Sequence, residues 1–183
     1  MTTKSKLWVL AALVPAALAL TLSACSSEKP GNAMTATNPT PPPSTQGNGT
    51  ANVFGDLKAC DLLEPITTPK GFDPPVVETA ESDNGCAAQK RRYASVSIYL
   101  VPEAGIDQLS AGQGTKIPTK VGGREAVEIP GDSGTEACTV AIAVTPNARM
   151  TASTSLNEGT NEEACALARE LAVAAEPKLP RVG

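Results

Sequence analysis

The chain has 183 residues, of which 41% are hydrophobic, 3% aromatic and none histidine, and its net charge is −4. An acidic chain without a long basic run is unsuited to nucleic acid, where affinity rests on neutralising phosphates. Lacking histidine, it also lacks the usual general base, the commonest metal ligand and the side chain that titrates near neutral pH.

The first segment reads as an export leader. Met1 to Lys6 carries Lys4 and Lys6 and no acid, and Leu7 to Leu22 is an apolar run interrupted by Pro15 and Thr21. A positive start, an apolar middle and small residues before a cut form the signal-peptide pattern over residues 1–24. Leu22-Ser23-Ala24-Cys25 resembles the bacterial lipobox, in which the thiol receives a diacylglyceryl group before cleavage makes the cysteine the new N-terminus. Two acyl chains suffice for a stable anchor where one is marginal. Cys25 is therefore the expected lipidation site, holding the chain on the extracytoplasmic face of a membrane. Loss of the leader takes the net charge from −4 to −6, because it carries two lysines and no acid.

Residues 25–52 supply the lipidated cysteine and a tether. Ser26 to Asn52 is rich in Pro, Thr, Ser, Asn and Gly, with Pro41-Pro42-Pro43 inside it, and shows no apolar periodicity. Such a composition predicts disorder, spanning about 30 Å as a coil and about 80 Å when extended.

A single α+β domain is expected over residues 53–183, a mostly antiparallel sheet packed by an N-terminal and a C-terminal helix. Leu57, Cys60, Leu63 and Ile66 recur at helical spacing, with Pro65 and Pro69 expected to close that helix. Between Tyr93 and Val101, Val96, Ile98 and Leu100 alternate with Ser95, Ser97 and Tyr99, the pattern of a half-buried strand. A short helix is expected over Glu103–Leu109. Lys116–Val121 and Arg124–Ile129 flank Gly122-Gly123 and predict a hairpin. Cys138–Val144 alternates like the earlier strand, and Arg149–Ser155 adds another. Thr160 and Glu163 form a capping pair, after which Leu167, Ala168, Leu171 and Ala175 carry a helix as far as Pro177.

With Cys25 assigned to lipid, Cys60, Cys86, Cys138 and Cys165 remain, an even number in an exported domain. A zinc site without histidine would need all four thiolates, so disulfides are favoured and no metal or other cofactor is expected. Three pairings are possible. Cys138 lies on the apolar side of its strand, and Cys165 beside the Ala168 and Leu171 stripe of the closing helix. Cys60 shares a stripe with Leu57 and Leu63, and Cys86 has the parity of Val96 and Ile98. The expected bridges are Cys60–Cys86 and Cys138–Cys165, each pinning a helix to the sheet and each worth roughly 3 kcal/mol in the chain-entropy account.

Gly131-Asp132-Ser133-Gly134 looks like the nucleophile segment of chymotrypsin-type proteases, but that serine needs a histidine to accept its proton. The segment reads better as a turn, and no catalytic residue is expected. Gly112-Gln113-Gly114-Thr115-Lys116 lacks the spacing of a phosphate loop. Lys90-Arg91-Arg92 is the one basic cluster, read as a solvated strand end or as a contact for anionic head groups or wall polymers.

These residues together resemble an uncharacterised family of actinobacterial, mycobacterial-type cell-envelope lipoproteins. The likeness rests on the lipobox, the Pro/Thr linker, Cys60-Asp61-Leu62-Leu63, Asn84-Gly85 before Cys86 and Val121-Gly122-Gly123-Arg124-Glu125-Ala126. Cys138 in a strand, Cys165 and Ala168 in the last helix and a final Leu179-Pro180 complete it. The resemblance implies a location and assigns no active site. The expected function is a monomeric, non-catalytic binding module of the envelope, with a protein or lipid as partner. The alternatives are a carrier with an apolar pocket between sheet and helices, and a hydrolase using Ser133.

Overall fold

The computed structural model describes residues 52–181. Alternation of branched apolar residues with Ser, Thr and Ala builds a sheet of seven strands. They are β1 (Val76–Val77), β2 (Gly85–Lys90), β3 (Ala94–Val101), β4 (Ile117–Val121), β5 (Arg124–Pro130), β6 (Ala137–Thr145) and β7 (Ala148–Leu156). All neighbours pair antiparallel, in the order β1-β2-β3-β7-β6-β5-β4. Helix α1 (Ala59–Thr67) and helix α2 (Asn161–Ala175) complete the α+β fold.

Register places the core. Ile98 pairs with Ala152 and Leu100 with Met150, and these pair onward with Val140 and Ile142 of β6. All six are fully buried, on the sheet face under the helices. From α1 come Ala59, Leu62 and Leu63, and from α2 come Ala164, Leu167, Ala168, Leu171, Ala172 and Ala175. The alanines let the α2 backbone lie close to β6 and β7. Thr154 has the one buried side-chain oxygen left without a partner among the described residues.

Thr160 starts α2 as expected. Its hydroxyl accepts the Glu163 N–H at 3.3 Å, and the Glu163 carboxylate accepts the Thr160 N–H at 2.9 Å. Helix α1 differs from expectation in passing through Pro65 and ending at Thr67. Proline withholds one N–H from the ladder. The Thr67 hydroxyl donates to the Leu63 carbonyl at 3.0 Å, and the Thr68 N–H reaches Glu64, so the last turn is held by other donors. Pro69 then lies in a 3₁₀ turn, Thr68–Lys70. The helix expected over Glu103–Leu109 is a single 3₁₀ turn, Ile106–Gln108.

The expected hairpin is present, with Gly122-Gly123 as its turn and both φ positive. In such a two-residue hairpin the closing pair exchanges both hydrogen bonds and the pattern alternates. Ile117, Thr119 and Val121 therefore bond inward to β5, while Pro118 and Lys120 face the open edge. A proline offers no N–H there, which blunts the edge against pairing with another chain.

Both expected bridges are formed. Cys60–Cys86 joins α1 to β2, and Cys138–Cys165 joins β6 to α2, across sequence separations of 26 and 27. Cys138 and Cys165 are fully buried, whereas Cys60 is partly open to solvent. A reductant reaches a sulfur only by access. Brief, mild reduction followed by alkylation and mass spectrometry should therefore label Cys60 and Cys86 first, with Cys138 and Cys165 labelled only once the fold opens. Equal labelling of both pairs from the outset would contradict this order.

Candidate functional site

Three places collect polar side chains, and the chemistry of each follows from what its groups already hold. A groove of about 740 Å³ opens beside the β4–β5 turn, lined by Ile106, Asp107, Gly122, Arg124, Thr145 and Arg181 among others. Its charges are largely committed. Arg124 Nε donates to Glu176 Oε1 at 2.9 Å, and Nη2 donates to the carbonyls of Pro180 at 2.8 Å and Leu179 at 3.2 Å. Glu176 is buried directly after α2, and the exposed Arg181 adds a second cation at 3.7 Å. A Cβ on Gly122 would lie 2.1 Å from the Glu176 carboxylate, so only glycine fits beneath it. The Gly122-Gly123-Arg124 segment thus fastens the end of the chain to the hairpin.

The second place lies on the sheet face away from the helices. The segment from Pro102 to Lys116 crosses that face above a cavity of about 310 Å³, lined by Glu81, Leu109, Ser110, Asp132, Thr139 and Arg149. Arg149, on β7, is buried. Its Nη1 donates to the carbonyls of Ala104 and Gly105 at 3.1 and 3.3 Å, its Nε to the Thr151 hydroxyl, and its Nη2 to Glu81 at 3.4 Å. The guanidinium straps the crossing segment to the sheet. Because of that strap β6 is buried on both faces and not half-buried as its alternation predicts. Ser133 is exposed at the rim, with its Oγ 3.4 Å from Asp132 Oδ1, while Asp132 Oδ2 accepts the Thr139 hydroxyl at 2.8 Å. The carboxylate beside Ser133 is therefore occupied in fixing the turn.

The same face explains Tyr99, which the alternation places among serines. Tyr99 is 5% exposed, and its hydroxyl donates to the Glu78 carboxylate at 2.7 Å. Gly85 makes this possible: a Cβ there would lie 2.4 Å from the Tyr99 ring. The neighbouring Asn84 accepts the Ala59 N–H at 2.9 Å and donates to the Leu57 carbonyl at 2.8 Å, so it caps α1 from 25 residues away. Asn84, Gly85 and Cys86 each have a separate structural task.

The third place is the β2–β3 turn. Arg91 and Arg92 are exposed, and among the described residues neither takes part in an ion pair. Arg92 sits at φ 61°, and Tyr93 N–H donates to the Lys90 carbonyl at 2.9 Å. The Lys90 ammonium lies 5.4 Å over the Tyr93 ring and donates to the Lys70 carbonyl at 2.7 Å. Phe72 meets Tyr93 edge-on, with the ring centroids 6.2 Å apart. This tip is braced by those contacts and carries two arginines outside any ion pair among the described residues. Among the described residues no three His, Cys, Asp or Glu side chains are grouped to hold a metal. Cys25 lies outside the described residues.

Two outcomes test these assignments. Arg124→Ala leaves the buried Glu176 carboxylate with only the exposed Arg181 at 3.7 Å, and should cost about 3 kcal/mol of unfolding free energy. Adding Glu176→Ala should cost less than the two single losses combined, as denaturant titration of the four-member cycle will show. The second outcome concerns alkaline pH. The Tyr99 phenol is pushed above its ordinary value of 10.0, first by burial and then by its bond to Glu78. Below pH 10 the folded and unfolded chains both keep the proton, so this group adds no slope; above it the unfolded chain ionises first and stability falls. Denaturation midpoints against pH should show that decline in the wild type and a shallower one in Tyr99→Phe.

A family model described as a protein of unknown function, DUF3558, matches residues 20–178. No curated protein and no solved structure matches the chain. The matched span takes in Cys25, the Pro/Thr segment and every strand and helix described above, and the chain belongs to the DUF3558 family.

Proposed function

We propose that this chain is a lipoprotein anchored through Cys25 to the extracytoplasmic face of an actinobacterial membrane, where its domain serves as a non-catalytic interaction module. The observation that carries the reading is the pair of disulfides fastening both helices to the sheet, since such bridges persist in oxidising compartments. A lipobox-like cysteine after an apolar leader accounts for how the domain is exported and retained. The family match begins at residue 20, so Cys25 lies within the matched span.

Absence of catalysis is supported by how the polar side chains are used. Arg124, Glu176, Arg149, Asn84 and Asp132 each hold a distant piece of backbone or a neighbouring hydroxyl. The chain has no histidine to activate Ser133. A carrier would need space between sheet and helices, and that layer is occupied by Leu62, Leu63, Ile98, Val140, Met150 and Leu171, all essentially fully buried.

In a bacterial host fed an alkyne-tagged fatty acid, the wild-type chain should acquire the tag and sediment with membranes. Cys25→Ala should lose the tag and leave the membrane fraction, while both disulfides still form. Retention of the tag by Cys25→Ala would refute the anchor.

A further inference from the structure

We propose that the β2–β3 tip is the recognition surface of the module and that it binds an anionic glycan polymer bearing phosphate or carboxylate groups. The inference rests on the reading of the chain as an interaction module and names the surface and the partner's chemistry. Three observations converge on it.

The first is uncompensated charge. Lys90, Arg91 and Arg92 lie within one turn of an otherwise acidic chain, and Lys70 approaches them through its carbonyl bond to Lys90. Glu170 is paired with Lys70. The β7–α2 loop braces the tip, with Asn157 N–H donating to the Tyr93 carbonyl at 2.8 Å, and brings Glu158 with it. Asp73, whose N–H donates to the Gln89 carbonyl at 2.7 Å, adds a third carboxylate to Glu170 and Glu158, so Lys70, Lys90, Arg91 and Arg92 leave an excess of one cation. Two of the four are arginines, whose planar forks match phosphate and carboxylate oxygens in pairs.

The second is an exposed aromatic among those cations. Tyr93 is 45% exposed, yet its ring is fixed by Phe72 at the edge and Lys90 above it. An immobilised amphipathic ring gives contact area to a sugar face at little cost in conformational entropy. A ring flanked by guanidinium groups suits a repeating sugar and anion better than an isolated ion.

The third is placement. Asn84 at one end of β2 caps the start of α1, and Lys90 at the other end meets Lys70 beyond its finish. The described chain begins at Asn52, which lies with Lys58, Glu81, Asp83 and Glu103 around the Asn84 end. The basic tip is therefore at the opposite end of the domain from its N-terminus, about 20 Å away along the six-residue strand. The acidic end is the one where the described chain begins, and the exposed Tyr93 face among the cations of the other end favours a sugar polymer over lipid head groups.

The test uses the full chain in a non-ionic detergent, so that binding does not depend on the anchor, with poly(glycerol phosphate) carrying sugar substituents as the probe. Arg91→Gln/Arg92→Asn removes both charges, and asparagine tolerates the left-handed backbone at position 92. Lys120→Gln/Lys178→Gln removes the same charge from exposed positions elsewhere. The wild type should bind in a salt-sensitive manner, the tip variant about ten-fold more weakly, and the control pair within about two-fold of wild type. Tyr93→Ser should weaken binding to the substituted polymer more than to the bare one. Absence of wild-type binding, equal loss in both charge variants, or displacement of the polymer by phosphatidylglycerol-doped micelles at lower anion concentration would overturn the proposal. The last result would assign the tip to the bilayer, and none of the three bears on lipidation of Cys25.

Discussion

The contact between α2 and the two central strands is the constraint on which the rest of the domain depends. Its helix side is mostly alanine, with Ala164, Ala168, Ala172 and Ala175 all fully buried. Alanine brings little apolar area, about a third to a half of what leucine would add, so this interface gains its closeness from backbone approach more than from transfer energy. Cys138–Cys165 sits in that interface with its Cα atoms 4.9 Å apart. The bridge limits the entropy of the unfolded chain, and the alanines let the folded one close around it. With five aromatic residues in the whole sequence, covalent restraint takes the place of large rings.

The polar side chains continue the same strategy at the periphery. Asn84 caps a helix 25 residues upstream, Arg124 holds carbonyls 55 and 56 residues downstream, and Arg149 holds a loop 44 and 45 residues back. Each closes a long stretch of chain by bonding backbone that would otherwise lack partners. A buried ion pair such as Arg124–Glu176 adds little net stability relative to well-packed apolar residues. Its role is to specify one position for the C-terminal segment against the hairpin.

Much of this was legible in the sequence, and the exceptions have physical reasons. Strands β3 and β6 show their alternation, Gly122-Gly123 marks the β4–β5 hairpin, and the Thr160–Glu163 box marks the start of α2. Alternation along β6 put Cys138 on the core face, while the parity Cys86 shares with Val96 and Ile98 becomes a shared face through the register that pairs Cys86 with Ile98. Strand β2 carried no such signal. Gly-Cys-Ala-Ala-Gln-Lys has weak strand propensity, and its conformation is imposed by pairing with β3 and by the bridge to α1. Helix α1 continues past Pro65 to Thr67, where the Thr67 hydroxyl and the Thr68 N–H close the last turn on Leu63 and Glu64, which spacing alone cannot reveal. The burial of Tyr99 and of the second face of β6 came from loops folding over the sheet, a long-range event with no periodic trace. Val121-Gly122-Gly123-Arg124 was readable as a turn. Its bond to Glu176, more than 50 residues away, was not.

What the fold consumes also defines what it leaves over. Arg124 and Arg149 are drawn inward to hold backbone, whereas Arg91 and Arg92 hold none, although all four side chains have the same reach and chemistry. The difference lies in the elements that carry them. Arg149 projects from a central strand beneath a crossing loop, and Arg124 follows a turn overlain by the end of the chain. Arg91 and Arg92 occupy a turn that stays exposed among the described residues, with Arg92 in a left-handed conformation that costs a non-glycine residue roughly 1 kcal/mol. A turn serving only to reverse the chain would be better made with glycine or asparagine at that position. An arginine there, beside a second arginine and an aromatic ring braced from two sides, is what the proposed recognition surface would require.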